Sequence, residues 1–105
     1  MAADGPVVLE MNFRAAPPWG AARVEKLRAL ADAIAAETPG LLWKIWTEDA
    51  AAGRAGGIYA FATRAEAEAY REMHTQRVVA RGATDIRAQL WDVNTALSSI
   101  TRAKL

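Results

Sequence analysis

The stretch from Pro39 to Phe61 sets the tightest limit on how this chain can fold. It reads Pro-Gly-Leu-Leu-Trp-Lys-Ile-Trp-Thr-Glu, then a loop of small residues, then Gly-Gly-Ile-Tyr-Ala-Phe. Two short runs rich in aromatic and β-branched residues flank Asp49, a string of alanines and Gly53, which predicts an antiparallel hairpin. Trp43 and Trp46 lie in its first strand, Tyr59 and Phe61 in its second. One hairpin cannot hide that much aromatic surface. Helices must cover one side, and a second subunit or a ligand the other.

The rest of the chain supplies those covers. Val7 to Phe13 alternates, with Val7, Leu9, Met11 and Phe13 on one face and Val8, Glu10 and Asn12 on the other, as a strand does. Asn12 is a poor strand former; it marks either a strand end or an amide aimed into a pocket. After the Pro17-Pro18 loop, Val24, Leu27, Ala31 and Ile34 recur at helical spacing from about Ala21 to Ala36, and Pro39 stops the helix. Thr63-Arg64-Ala65-Glu66 is a capping box that opens a second helix. Ala67, Tyr70, His74 and Val78 form its inward stripe, and Gly82 is its expected stop. Asp85 to Val93 alternates again, with Ile86, Ala88 and Leu90 opposite Arg87, Gln89, Trp91 and Val93.

The order strand, helix, strand, strand, helix, strand predicts one α+β, ferredoxin-like βαββαβ domain over residues 1–105. A four-stranded antiparallel sheet would carry two helices on one face. Residues 1–6 are expected to be a flexible start, and 94–105 a tail able to pack on a partner subunit. Within the hairpin, alternation groups Leu41 with Trp43, Ile45 and Thr47, and Leu42 with Lys44, Trp46 and Glu48. The open sheet face is expected to hold Val8, Trp46 and Trp91. An apolar face of that kind marks an interaction site, and two-fold packing of identical subunits covers it most simply.

Composition narrows the chemistry. The net charge of +1, with no basic block, argues against a nucleic-acid partner. With no cysteine and one histidine, thiol catalysis is excluded and a zinc or iron–sulfur site is not expected. No apolar run is long enough to span a bilayer and no signal sequence opens the chain, so a soluble cytoplasmic protein is expected, with no membrane partner.

The hairpin, together with Ala69-Tyr70, His74-Thr75, Asp92-Val93-Asn94, Leu97-Ser98 and the closing Ala103-Lys104-Leu105, resembles the YdhR family. These are small monooxygenases of the dimeric α+β barrel superfamily. The resemblance runs from Val7 to the C-terminus. It implies a homodimer built by sheet packing and a pocket between sheet and helices. By similarity to enzymes that oxidise aromatic polyketides, it also implies oxygen chemistry without cofactor, metal or flavin.

Such chemistry needs an apolar pocket for a flat ring, a base that makes a phenolate or enolate, and dry surroundings. His74 is the candidate base, since its ordinary pKa lies near neutrality, and Asn12 the candidate for orienting an oxygen species. Trp43, Trp46, Tyr59, Phe61, Tyr70 and Trp91 are the candidate walls for a small aromatic or quinone-like substrate. Each also has an ordinary role: sheet aromatics as core or interface, a helix-stripe histidine as a packed, hydrogen-bonded group, and Lys44 or Glu10 as members of cross-strand pairs. Two other functions remain open on the sequence. One is a non-catalytic module that holds an apolar ligand. The other is haem binding or degradation with His74 on the iron.

Overall fold

In a computed structural model, which describes residues 5–105, the alternation of the first segment becomes strand β1, Val7–Arg14. Val7, Leu9 and Met11 are almost fully buried on one face. Helix α1 follows over Ala21–Glu37, then β2 over Leu41–Asp49, β3 over Arg54–Phe61, helix α2 over Arg64–Ala80 and β4 over Thr84–Asp92. A short helix, α3, spans Thr95–Ile100. The strands form one antiparallel sheet in the order β2-β3-β1-β4. This is the ferredoxin-like βαββαβ arrangement. Most of the expected flexible start, residues 1–4, lies outside the described residues. The Pro6 carbonyl accepts the Val93 N–H at 3.3 Å.

The core lies between the sheet and α2. Leu9 pairs with Tyr59 on one side and Leu90 on the other, and Val7 pairs with Phe61. Ala67, Tyr70 and Val78 of α2 close over this surface. Thr63 starts α2 as the capping box requires: its hydroxyl accepts the Glu66 N–H and donates to the Glu66 carboxylate. Gly40 turns the chain from α1 into β2 at φ 76°, a conformation that L side chains rarely adopt. Gly56 lets β3 close onto β1, because a Cβ there would run into the Met11 carbonyl and the Asn12 Cα.

A bulge in β2 decides where the tryptophans go. Leu41 pairs with Phe61 and Trp43 with Ala60, so β2 has one residue more than β3 across this step. Beyond it, Lys44 pairs with Tyr59 and Trp46 with Gly57. Lys44, Trp46 and Glu48 therefore share the helix-side face with Leu41. Trp43 and Ile45 stand on the opposite, open face. This corrects the expectation that Trp46 lies on the open face; Trp43 stands there instead. Trp91, opposite Val8, is on the open face as its alternation requires.

The tail folds back on its own subunit. Asn94 caps α3 by accepting the Leu97 N–H, and the Trp43 indole donates to the Lys104 carbonyl. Leu97 and Ile100 remain exposed.

Candidate active site

α2 lies close on the sheet, whereas Ile34 is the single buried residue of α1. The apolar stripe of α1 instead overlooks a cavity of about 550 Å³. Val24, Leu27 and Ala31 form its roof, Lys44, Trp46 and Tyr59 its floor, and His74 and Val78 its wall on α2. The volume is that of a small-molecule site. The Gly20 N–H donates to the Glu48 carboxylate, which ties the start of α1 to β2 at the cavity edge.

Beside the cavity is a continuous aromatic cluster. The Tyr59 and Tyr70 ring centroids are 5.0 Å apart, and Tyr70 stacks on His74 at 4.9 Å and 20°. Phe61 backs Tyr70 at 5.5 Å from inside the core. Burial pushes both tyrosine hydroxyls up, Tyr59 far beyond its ordinary range, so neither ionises near neutral pH.

His74 is 3% exposed. Arg77, one turn further along α2, donates from Nε to His74 Nδ1 at 3.0 Å and from its terminal nitrogen to the Tyr70 hydroxyl at 3.3 Å. A guanidinium is always a donor, so Nδ1 must accept and the ring proton sits on Nε2. Burial first, then the charges of Lys44, Arg77 and Arg81, lower the His74 pKa to about 3. His74 is thus a neutral ring whose only free lone pair is already taken. It can donate through Nε2, but it cannot take a proton near pH 7. In this tautomer Nε2 carries the proton and offers no lone pair to an iron.

Lys44 has the opposite character. Its Nζ lies 3.3 Å from the Trp46 ring centroid and 4.8 Å from that of Tyr59. Among the described residues it has no carboxylate partner. Burial, and next the Arg77 charge, lower its pKa to about 7. A large part of this amine is therefore neutral at physiological pH, which is what a general base requires.

The remaining expected residues are not at the cavity. Asn12 is on the open sheet face, where its Oδ1 accepts from Arg54 Nε at 2.7 Å. Arg54 also binds Asp85, at 2.8 Å, so Asn12 belongs to a surface polar network. The Trp91 indole, on that same open face, donates to Glu10 at 3.2 Å. Trp43 is engaged by the tail. Trp46 and Tyr59 are the expected wall residues that line the space, while Tyr70 and Phe61 support it from behind. Reading the sequence placed the pocket between sheet and helices but missed Lys44 and Arg77 as site elements. One signal was present: on strand alternation the neighbours of Lys44 are Leu42 and Trp46, neither of which can neutralise an ammonium.

The sequence model of the family described as "Putative mono-oxygenase ydhR" matches residues 8–104 of this chain. The chain belongs to the YdhR family. The match covers all strands and helices of the domain but for Val7, the first residue of β1, and the family's description supports a general monooxygenase-like function. Comparison with curated proteins gives no match. In this YdhR-family chain, the space under α1 is a cavity of small-molecule size that brings Lys44, Trp46, Tyr59 and His74 together. Among the described residues, no group of three or more His, Cys, Asp or Glu side chains suited to a metal ion occurs, and no helix is long and apolar enough to cross a membrane.

Proposed function

We propose that the protein oxidises a small hydroxylated aromatic or quinone-like substrate with O₂, without metal or flavin, and that Lys44 is the base. The observation that supports this reading most is an amine held near neutrality on the floor of an apolar cavity, between two aromatic rings. The substrate ring lies between the α1 roof and Trp46. Lys44 takes the proton of a phenol or of its keto tautomer, and the resulting anion rests beside the new ammonium. That anion passes one electron to O₂. Recombination at carbon forms a C–O bond, and the resulting peroxide anion takes the proton back from the Lys44 ammonium to give a hydroperoxide. Loss of water from a CH–OOH group then leaves a carbonyl: R₂CH₂ + O₂ gives R₂C=O + H₂O, with the substrate as the only reductant. The α1 roof over one side reduces the access of bulk water to the anion. His74 and Arg77 hold the Tyr70–Tyr59 wall in place, and His74 Nε2–H is a donor available to an oxyanion.

Oxygen uptake with a panel of anthrones and hydroquinones tests this. Wild type should consume one O₂ per substrate, with kcat rising through about pH 7 as Lys44 loses its proton. Lys44→Met should lower kcat by roughly 10²–10⁴-fold, the range for a lost general base, whereas His74→Asn should keep more than a tenth of the activity. Undiminished turnover in a folded Lys44→Met protein would refute the assignment.

The open sheet face supports a second element of the proposal, a homodimer. Ile45 and Trp91 are 52% and 54% exposed on it. A second copy laid face to face would bury both.

A further inference from the structure

The charges around the cavity floor do not balance. Lys44 Nζ sits over the Trp46 ring, with Tyr59 of β3 beside it. From α2 it is faced by neutral His74 and by the Arg77 guanidinium, whose hydrogen bonds go to the neutral groups His74 and Tyr70. Arg81 adds a further positive charge at the end of α2, and Arg23, Lys26 and Arg28 line the cavity from α1. The single acid among the lining residues is Glu48, which is tied to the Gly20 N–H. It lies four residues along β2 from Lys44, about 13 Å at the usual strand rise. No carboxylate of the described residues reaches the Lys44 amine.

A cation in an apolar enclosure is normally paired. Here the Trp46 face offers partial compensation, and the cavity offers room for the rest. We propose that this is an anion-binding site: the Lys44 ammonium receives the carboxylate of an aromatic acid whose ring lies in the cavity against Trp46. The carboxylate occupies the position that a phenolate oxygen takes in the proposed reaction. Aromatic acids are thus ligands of the resting protein and competitors of turnover. The inference uses the same cavity as that reaction but does not depend on any oxidation taking place.

The ligand requires the ammonium form, and turnover requires the free amine, so the two respond to pH in opposite senses. Aromatic acid binding weakens as pH rises through about 7, because ever less of the free protein carries the proton that the complex holds. Turnover rises through the same interval.

Calorimetric titration with 2-naphthoate and with its neutral counterpart 2-naphthamide tests this. At pH 6 wild type should bind the acid at least tenfold more tightly than the amide. Above about pH 7 that preference should decline by roughly tenfold per pH unit until the two ligands bind alike. Lys44→Arg, a permanent cation, should keep the preference at both pH 6 and pH 9, and Lys44→Met should show none at either. Equal binding of acid and amide by wild type at pH 6 would overturn the proposal, as would a preference that survives in Lys44→Met and so belongs to the arginines of the mouth. Should Lys44→Met fail to fold, the comparison of wild type with Lys44→Arg at pH 9 still decides, because equal preferences there would also overturn it. Tight binding of the acid by a protein that consumes no oxygen with any anthrone or hydroquinone would refute the proposed reaction and leave this site standing.

Discussion

Replacing Lys44 by methionine should make the protein more stable, and the gain should depend on pH. The side chains are similar in length, so the apolar stem is kept and only the amine is lost. The unfolded chain holds the ammonium up to 10.5, whereas the folded protein releases it at about 7. Between these limits the unfolded chain binds more protons, so stability rises with pH through that window. The difference corresponds to about 4 kcal/mol against folding at pH 7, at 1.36 kcal/mol per tenfold change in proton affinity. Because Lys44 is only partly buried, solvent screening reduces this by roughly 1–2 kcal/mol. Lys44→Met should therefore gain about 2–3 kcal/mol at pH 7, or about 10 °C in Tm for a domain of this size. At pH 9.5, where the folded amine is neutral, the gain should shrink to about 1 kcal/mol. Urea unfolding followed by circular dichroism at the two pH values measures both. A variant no more stable than wild type at pH 7, or a gap that does not narrow at pH 9.5, would refute the claim that Lys44 is held without a counter-charge.

Other outcomes follow from the same geometry. His74 titrates at about 3 in the folded protein and 6.5 in the unfolded chain, so the stability it contributes above pH 6.5 is lost as pH falls toward 3; His74→Asn should flatten the acid side of a urea-stability profile between pH 7 and 4. Gly56→Ala should cost on the order of 2–4 kcal/mol, because its Cβ meets the backbone of β1 and not a yielding side chain; a melting temperature within 3 °C of wild type, where a cost of this size predicts roughly 8–16 °C, would contradict this. Light scattering should give about twice the 11.3 kDa chain mass for wild type and the single mass for Ile45→Lys, and a monomeric wild type would end the dimer proposal.

The fold could be read because its signals are local. Alternation in β1 and β4, the Thr63–Glu66 box and the Pro39-Gly40 stop each declare their element within a few residues. The inward stripe Ala67, Tyr70, His74, Val78 was visible for the same reason, and all four residues are buried. The site was harder to read because its chemistry comes from enclosure. Lys44 becomes a candidate base only when β3 brings Tyr59 beside it and α2 adds the charge of Arg77. His74 loses that role first through burial and then through the charges of Lys44 and Arg77; only Arg77, three residues along the same helix, stands at a spacing that the sequence displays openly. Asn12 was noticed as an odd strand residue, but its explanation lies in Arg54, 42 positions away. The pattern of α1 suited a packed helix equally well; only the tertiary structure shows that its stripe roofs a hollow.

The extra residue between Leu41 and Trp43 makes chain length itself a carrier of function. Deleting one residue from Gly40 to Leu42 would leave every later side chain of β2 intact yet reverse the direction of each. Lys44 and Trp46 would then point toward the proposed partner subunit, and Trp43 and Ile45 into the cavity. A comparison by residue identity would score such a protein as nearly unchanged, although it would have exchanged its pocket for its docking face. Within this fold, the spacing from the Gly40 turn to the lysine is therefore as informative as the lysine.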